Sequence, residues 1–119
     1  MSQHNRMLGA SGEEAVAAWY ELHGYEVLVR NWRCKEGELD LVARNGRLYV
    51  FCEVKCRSGL GFGHPLEAIT FTKRRTLRQL AAVWMRQHRV KASAIRLDAI
   101  GVVLAPGEEP SVTHVRAVG

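Results

Sequence analysis

The sequence has few of the features that mark special classes of protein. Its 119 residues include only three prolines and eleven glycines, which excludes a collagen-like or low-complexity chain. With 47% hydrophobic residues, it is too apolar to be intrinsically disordered. No uncharged apolar run approaches the roughly 18 residues that span a membrane, and the first residues lack the apolar stretch of a secretory signal. We therefore expect one globular domain over 1–119, in the cytoplasm and without a membrane partner.

Cysteine is also scarce. Cys34, Cys52 and Cys56 are odd in number and form no paired framework, so we expect free thiols in a reducing compartment. A zinc site that uses Cys52, Cys56 and His64 is an alternative. However, Cys52 and Cys56 lie four apart in a strand-like segment, and the sequence has no CxxC pair. Buried, apolar cysteines are the preferred interpretation.

Acidic residues are absent from 68–97, although the whole chain has 12 Asp and Glu against 17 Lys and Arg, a net charge of +5. A basic segment without compensating acids favours a polyanionic partner, and we expect nucleic acid. Its bases are Lys73, Arg74, Arg75, Arg78, Arg86, Arg89, Lys91 and Arg96.

The first part of the chain is predicted to be a helix followed by a strand. Ser11 begins a capping-box pattern, and Gly24 is a typical helix stop, so a helix is predicted between them. Residues 1–10 are predicted to form a flexible arm or an extra helical turn. Alternating apolar residues predict a strand over 25–29, and the basic, polar residues 30–37 predict a connection.

A second amphipathic helix is predicted from Thr70 or Thr72 to about His88, followed by strands over 95–104 and 112–118. Together with the hairpin described next, this gives the order αβββαββ in an α/β domain, a mixed β-sheet flanked by helices. The second helix is expected to face inward with Leu77, Leu80, Ala81, Trp84 and His88, and outward with Arg75, Arg78, Ala82, Arg86 and Arg89.

Asn45-Gly46 lies between two alternating segments, 38–43 and 48–56, and this pattern predicts a β-hairpin. With these two residues at the turn, Arg44 faces Arg47 across the strands. One face of the hairpin is then wholly apolar and is predicted to be core. It carries Leu39, Leu41, Ala43, Val50, Cys52, Val54 and Cys56.

The other face of the hairpin carries Glu38, Asp40, Glu53 and Lys55, mixed with apolar residues. Asp40 and Glu53 are diagonal neighbours across the strands, so their carboxylates can converge on one cation. Acids on a partly apolar face repel one another unless a positive charge neutralises them, and a hard divalent ion with oxygen ligands would do so. A solvated sheet face with ordinary Glu–Lys pairs is the alternative.

Asp40, followed after twelve residues by Glu53-Val54-Lys55, resembles the PD-(D/E)XK nuclease signature. Glu13 occupies the place of a further acid in the Holliday-junction-resolvase branch of that superfamily. A closer resemblance is to the YraN-like family of bacterial proteins, described as predicted endonucleases. Leu39 replaces the proline of the general motif, as is usual in the YraN-like family. The matching segments are 12–15, 24–25, 30–33, 37–42, 51–58, 67–70 with Lys73, and 96–98.

The resemblance implies a restriction-endonuclease-like fold and metal-dependent hydrolysis of DNA phosphodiester bonds. It implies Asp40 and Glu53 as ligands of Mg²⁺, with Mn²⁺ as a substitute. The Val54 carbonyl and Glu13 are the expected further ligands. Lys55 is expected to orient or activate the attacking water. The implied catalytic set is Glu13, Asp40, Glu53 and Lys55.

The second helix is the predicted contact with DNA phosphates. Such contacts read no base sequence, so we expect recognition of branched or damaged DNA by its structure. A homodimer would suit junction cleavage, because junction-cutting enzymes commonly use two active sites. A non-catalytic nucleic-acid-binding or recruitment module with the same fold is the second interpretation, and a protein-interaction domain is the third. The predicted phosphate contacts are Lys73, Arg74, Arg75, Arg78, Arg86 and Arg89.

Overall fold

The computed structural model describes residues 3–58, 71–91, 94–105 and 107–116, and within them the side chains of all residues except 3–11 and 71–74. The order αβββαββ and the layered α/β class are confirmed. The elements are α1 Gln3–Leu22, β1 Glu26–Cys34, β2 Gly37–Asn45, β3 Leu48–Arg57, α2 Phe71–Gln87, β4 Ala94–Val103 and β5 Ser111–Val115.

A five-stranded mixed sheet lies at the centre, with its strands in the order β1-β2-β3-β4-β5. Neighbouring strands are antiparallel except β3 and β4, which are parallel. A parallel pair requires a crossover connection, and α2 lies within the one between β3 and β4. Among the described residues, neither helix is long and apolar enough to cross a bilayer.

The two helices cover opposite faces of the sheet, because successive side chains of β2 and β3 pack against different helices. Val42 and Phe51 are fully buried beneath α2, so this sheet face is not solvated, although the Glu–Lys pair of that alternative is present between Glu53 and Lys55. The α1 face contains Val16, Ala17, Tyr20, Leu41, Ala43, Val50, Cys52, Ile100 and Val102. The α2 face contains Leu39, Val42, Phe51, Leu77, Leu80, Ala81, Trp84 and Leu97.

Two element boundaries differ from the prediction by five residues or more. Helix α1 begins at Gln3, so Ser11 is not its N-cap, and residues 3–10 extend the helix, as the second predicted alternative had it, rather than form a flexible arm. That segment contains no proline that would end a helix. Strand β1 continues to Cys34, where a connection was predicted, because β2 provides backbone partners along the whole segment, as in the pair Trp32–Leu39.

The hairpin turn is shifted from its predicted position. Asn45 pairs with Leu48, so the turn residues are Gly46 and Arg47, and Arg44 faces Tyr49 rather than Arg47. Gly46 has a φ of 60° and takes the first turn position, where a type II′ turn requires glycine. The shift is by an even number of residues, so it leaves side chains on their predicted faces.

Leu39 is the exception to that alternation. It is fully buried in the cluster beneath α2, together with Val42, rather than on the face of Leu41 as predicted. The pairing of β2 with β3 runs only as far as Leu41–Cys52. Before Leu41, β2 is therefore no longer held in register by β3, and the simple alternation ends there.

Helix α2 confirms the predicted inner face except at its end. Leu77, Leu80, Ala81 and Trp84 are buried, but His88 is exposed, because it follows the last helical residue. The His88 ring nevertheless stacks on Trp84, with 4.2 Å between ring centroids.

The three cysteines are free, as predicted. Cys52 is fully buried, whereas Cys34 and Cys56 are half-buried, so the prediction of buried cysteines is wrong for those two. His64, the third residue of the alternative zinc site, lies outside the described residues.

Candidate active site

The candidate site lies where β2 separates from β3. Backbone pairing ends at Leu41–Cys52, but the Val54 N–H donates a hydrogen bond of 2.7 Å to Oδ2 of Asp40. A side-chain carboxylate therefore accepts a bond that a backbone carbonyl would accept in a continuing ladder. The N–H and C=O of one strand residue point to the same side. We therefore expect the Val54 carbonyl to face the same gap.

Glu53 and Lys55 lie two residues apart on β3 and so share one face of the strand. Lys55 Nζ is 3.4 Å from Oε1 of Glu53, and their side chains are only 23% and 20% exposed. Glu38, which the hairpin pattern puts on the same face as Lys55, pairs with Arg33 at 3.5 Å near the surface. The lysine therefore lies against the β3 carboxylate that is the predicted metal ligand.

Asp40 has the most strongly perturbed carboxyl group of the site. Burial, together with the negative charges of Glu53, Glu38 and Glu13, raises its pKa to about 7, against the lowering effect of the Val54 hydrogen bond. Glu13 lies on α1, Glu38 and Asp40 on β2, and Glu53 on β3. Three elements thus bring acidic side chains within electrostatic reach of one carboxyl group. The hairpin pattern predicts Asp40 and Glu53 on neighbouring strands, and the family resemblance adds Glu13 from α1.

Cys56 lies in the same acidic surroundings. Burial raises the pKa of its thiol to about 11, and the charges of Glu13 and Asp40 act in the same direction. At neutral pH the thiol is therefore protonated, and a protonated thiol is neither a good nucleophile nor a metal ligand. We interpret Cys56 as a packing residue at the edge of the site.

The donor set suits a hard cation. Mg²⁺ prefers oxygen ligands and is usually held by one or two carboxylates, with water and substrate phosphate completing its shell. Within the described ranges, no three His, Cys, Asp or Glu side chains are grouped closely enough to hold a metal ion by themselves. Asp40 and Glu53 supply two carboxylates of this kind, on neighbouring strands.

The outer face of α2 is exposed as predicted. Arg75, Arg78, Arg86 and Arg89 all lie in solvent, whereas the side chains of Lys73 and Arg74 lie outside the described residues. Because α2 packs against the sheet with its apolar face, its arginines project away from the core. We define the basic face of α2 as Arg75, Arg78 and Arg86 together with Arg89, which lies two residues beyond the last helical residue and not on the helix as predicted.

A second polar cluster surrounds Asp98 on β4. Arg96 donates to both Asp98 oxygens, from Nε at 2.8 Å and from Nη2 at 2.9 Å. The Tyr20 hydroxyl donates to it at 2.8 Å, and His114 Nε2 lies 2.7 Å away. Sequence reasoning missed Tyr20 and His114, which come from α1 and β5. No spacing rule links residues so far apart in the chain.

Comparisons with known proteins give the family context. The model of the uncharacterised protein family UPF0102 matches residues 12–102. A UPF0102 protein of Nocardia farcinica is 48% identical over 111 residues, or 93% of this chain and 87% of the relative. A UPF0102 protein of Beutenbergia cavernae is 49% identical over 112 residues, or 94% and 95%. Among solved structures, Hjc of Archaeoglobus fulgidus, a Holliday junction resolvase, matches with a TM-score of 0.45 and 18% identity over 84% of this chain and 70% of that chain.

Proposed function

This chain belongs to the UPF0102 family, the family to which the YraN-like resemblance points, and we propose that it is a metal-dependent endonuclease acting on DNA. The observation that carries the proposal is the position of Asp40. Its carboxylate accepts the Val54 N–H bond in the gap between β2 and β3, is partly buried, and lies within electrostatic reach of three other acids. A partly buried carboxyl group whose pKa is raised by burial and by like charges is typical of a functional site.

Asp40 and Glu53 would hold Mg²⁺ or Mn²⁺, with the Val54 carbonyl and Glu13 as further ligands, Glu13 directly or through water. The bound ion would neutralise negative charge on phosphate oxygens during hydrolysis. The short Asp40 side chain, fixed by the Val54 N–H at 2.7 Å, holds its carboxylate close to the sheet. Glu53 lies on the neighbouring strand, and its charge acts on Asp40.

We assign to Lys55 the role of orienting or activating the attacking water. Its ammonium group is held 3.4 Å from Glu53 and is largely shielded from solvent, so it can donate to a water or a phosphate oxygen beside the metal ligands. A cation fixed in this position stabilises negative charge that develops in the transition state.

The basic face of α2, with Lys73 and Arg74, would contact phosphates along the DNA. Such contacts determine affinity and orientation but read no base sequence. We therefore expect selection by DNA structure, with branched or damaged DNA as the preferred substrate. Cleavage of both strands of a junction needs two active sites, so we expect a homodimer on that substrate.

A non-catalytic nucleic-acid-binding or recruitment module is the second candidate. It is favoured by one observation: in the part of the chain described here, no three-residue metal cluster is already assembled. Such a module would bind DNA through the same basic face. It would not depend on a divalent ion or cut the DNA.

Cleavage assays separate the two candidates. Duplex, single-stranded, flapped and four-way DNA are incubated with the protein and Mg²⁺, Mn²⁺ or EDTA. An endonuclease should cut at least one substrate, and the Asp40→Asn and Lys55→Met variants, purified in parallel, should lose cutting while they still bind DNA. Metal-independent binding without cleavage of any substrate would support the recruitment module instead. Cleavage that both variants retain would indicate a contaminating nuclease.

A further inference from the structure

Helix α1 and strand β3 approach each other very closely at Gly12 and Cys56. Gly12 is buried, and a Cβ atom added to it would overlap the Sγ atom of Cys56. The same Cβ would lie 3.2 Å from the Cβ of Cys56 and 4.0 Å from that of Val102. No side chain fits at position 12 unless the helix moves or the thiol turns away.

Glycine at this position has a cost that the close contact explains. Gly12 lies in the interior of α1, where glycine is about 1 kcal/mol less favourable than alanine. Its φ is not positive, so the backbone conformation does not require glycine. The requirement is therefore one of space, between the helix backbone and Cys56.

The residues next to this contact belong to the candidate site. Glu13 follows Gly12 on α1, and Lys55 precedes Cys56 on β3. The charge of Glu13 acts on both the Cys56 thiol and the Asp40 carboxyl, so Glu13 lies near both. The separation of α1 and β3 at Gly12 thus determines how far Glu13 is from the acids of β2 and β3.

We propose that Gly12 is a positioning residue: by allowing α1 to lie directly against Cys56, it brings the Glu13 carboxylate to the metal-binding carboxylates Asp40 and Glu53. The effect of Gly12 on metal binding rests on the proposed function. The effect of Gly12 on the position of α1 does not rest on it, and the two effects are tested by separate experiments.

Size complementation tests the consequence for metal binding. Mn²⁺ affinity is measured by calorimetry for wild type, Gly12→Ala, Cys56→Ala and the double variant, with circular dichroism to confirm that each is folded. We expect Gly12→Ala to bind about tenfold more weakly, the loss typical when the support of a metal site is disturbed. Cys56→Ala removes the overlapping sulfur, so it should bind like wild type and restore the double variant to within about twofold. Unchanged affinity in Gly12→Ala, or no rescue in the double variant, would overturn the proposal.

A second cycle tests whether Gly12 acts through Glu13. In a Glu13→Gln background, Gly12→Ala should weaken Mn²⁺ binding by less than about twofold, because the carboxylate that it displaces is already gone. A further tenfold loss there would mean that Gly12 acts by another route.

Crystal structures of the metal-free variants test the placement of α1. The Cα–Cα distance between residues 13 and 55 should increase in Gly12→Ala and return in the double variant. If wild type binds no Mn²⁺, the proposed function fails, and this distance alone decides the inference. An unchanged distance in Gly12→Ala would contradict it.

Discussion

The central sheet contains one fully buried and one partly buried aspartate, and their surroundings are opposite. Asp98 on β4 is fully buried and accepts hydrogen bonds from Arg96 and Tyr20, with the His114 ring nitrogen at 2.7 Å. Asp40 on β2 accepts a hydrogen bond from the Val54 backbone and has three acids nearby. One carboxylate is surrounded by donors and the other by like charges.

The two pKa shifts have opposite signs for this reason. Burial alone would raise the pKa of Asp98, but hydrogen bonds from Arg96, His114 and Tyr20 outweigh it and lower the pKa. Asp98 therefore stabilises the fold above its unfolded pKa, and this stability is lost as the pH falls. Asp40 has a raised pKa, so its ionisation destabilises the fold as the pH rises from its ordinary value of 3.8 towards 7. The ionised carboxylate of Asp98 therefore stabilises the folded protein, whereas the ionised carboxylate of Asp40 destabilises it.

Replacement of Asp98 should have the largest effect on stability. Asp98→Asn leaves Arg96 without its buried counter-charge, and we expect a loss of about 3–5 kcal/mol in the free energy of unfolding at pH 7. Urea denaturation measures it. The matched control is Glu26→Gln, which breaks the exposed pair with Arg44 at 3.0 Å and should cost less than about 1 kcal/mol. Equal losses in the two variants would show that the Asp98 cluster is not a structural centre.

Replacement of Asp40 should act in the opposite direction. Asparagine can still accept the Val54 hydrogen bond but carries no charge, so Asp40→Asn should stabilise the metal-free protein by roughly 2–4 kcal/mol at pH 8. The gain should disappear near pH 4, where the wild-type carboxyl in the folded protein is protonated. Urea denaturation at both pH values measures the difference. A variant that is less stable than wild type at pH 8 would refute this interpretation of the site.

The stabilisation by a divalent metal should also differ between the Asp98 and Asp40 variants. With free Mn²⁺ at about a hundredfold excess over its dissociation constant, wild type should gain about 2.7 kcal/mol in unfolding free energy, and EDTA should reverse the gain. Asp98→Asn should retain this gain, whereas Asp40→Asn should lose most of it. Equal gains in both variants would place the metal elsewhere.

Local pattern was enough to predict much of the site. Alternation in the hairpin put Asp40 and Glu53 on neighbouring strands, and helical periodicity predicted the exposed arginines of α2. The turn position was wrong because Gly46 can occupy either central place of a two-residue turn. Alternation could not predict the position of Leu39 beneath α2. Strand β2 separates from β3 at this point, and the Asp40 side chain, not a backbone carbonyl of β2, accepts the hydrogen bond from the Val54 N–H.

Contacts between distant segments could not be predicted in the same way. Asp98 and Arg96 are two residues apart on one strand, so their pairing follows from sequence. Tyr20 and His114 reach Asp98 only because α1 and β5 pack near the same part of β4. The close approach of Gly12 to Cys56 depends likewise on where a helix crosses a strand.

The smallest expected effect concerns the surface of α2. Arg78→Gln removes one exposed charge from the basic face without disturbing its buried side, so the fold should be unchanged. If Arg78 contacts one phosphate, the slope of log affinity against log salt should fall by about 0.9, with DNA binding weakened by about tenfold or less. Arg47→Gln, which removes an exposed arginine at the hairpin turn, is the matched control and should leave the slope unchanged. Binding titrations at several salt concentrations measure both variants. An equal change in both would mean that DNA responds to net charge alone, because only a specific contact on α2 distinguishes the two arginines.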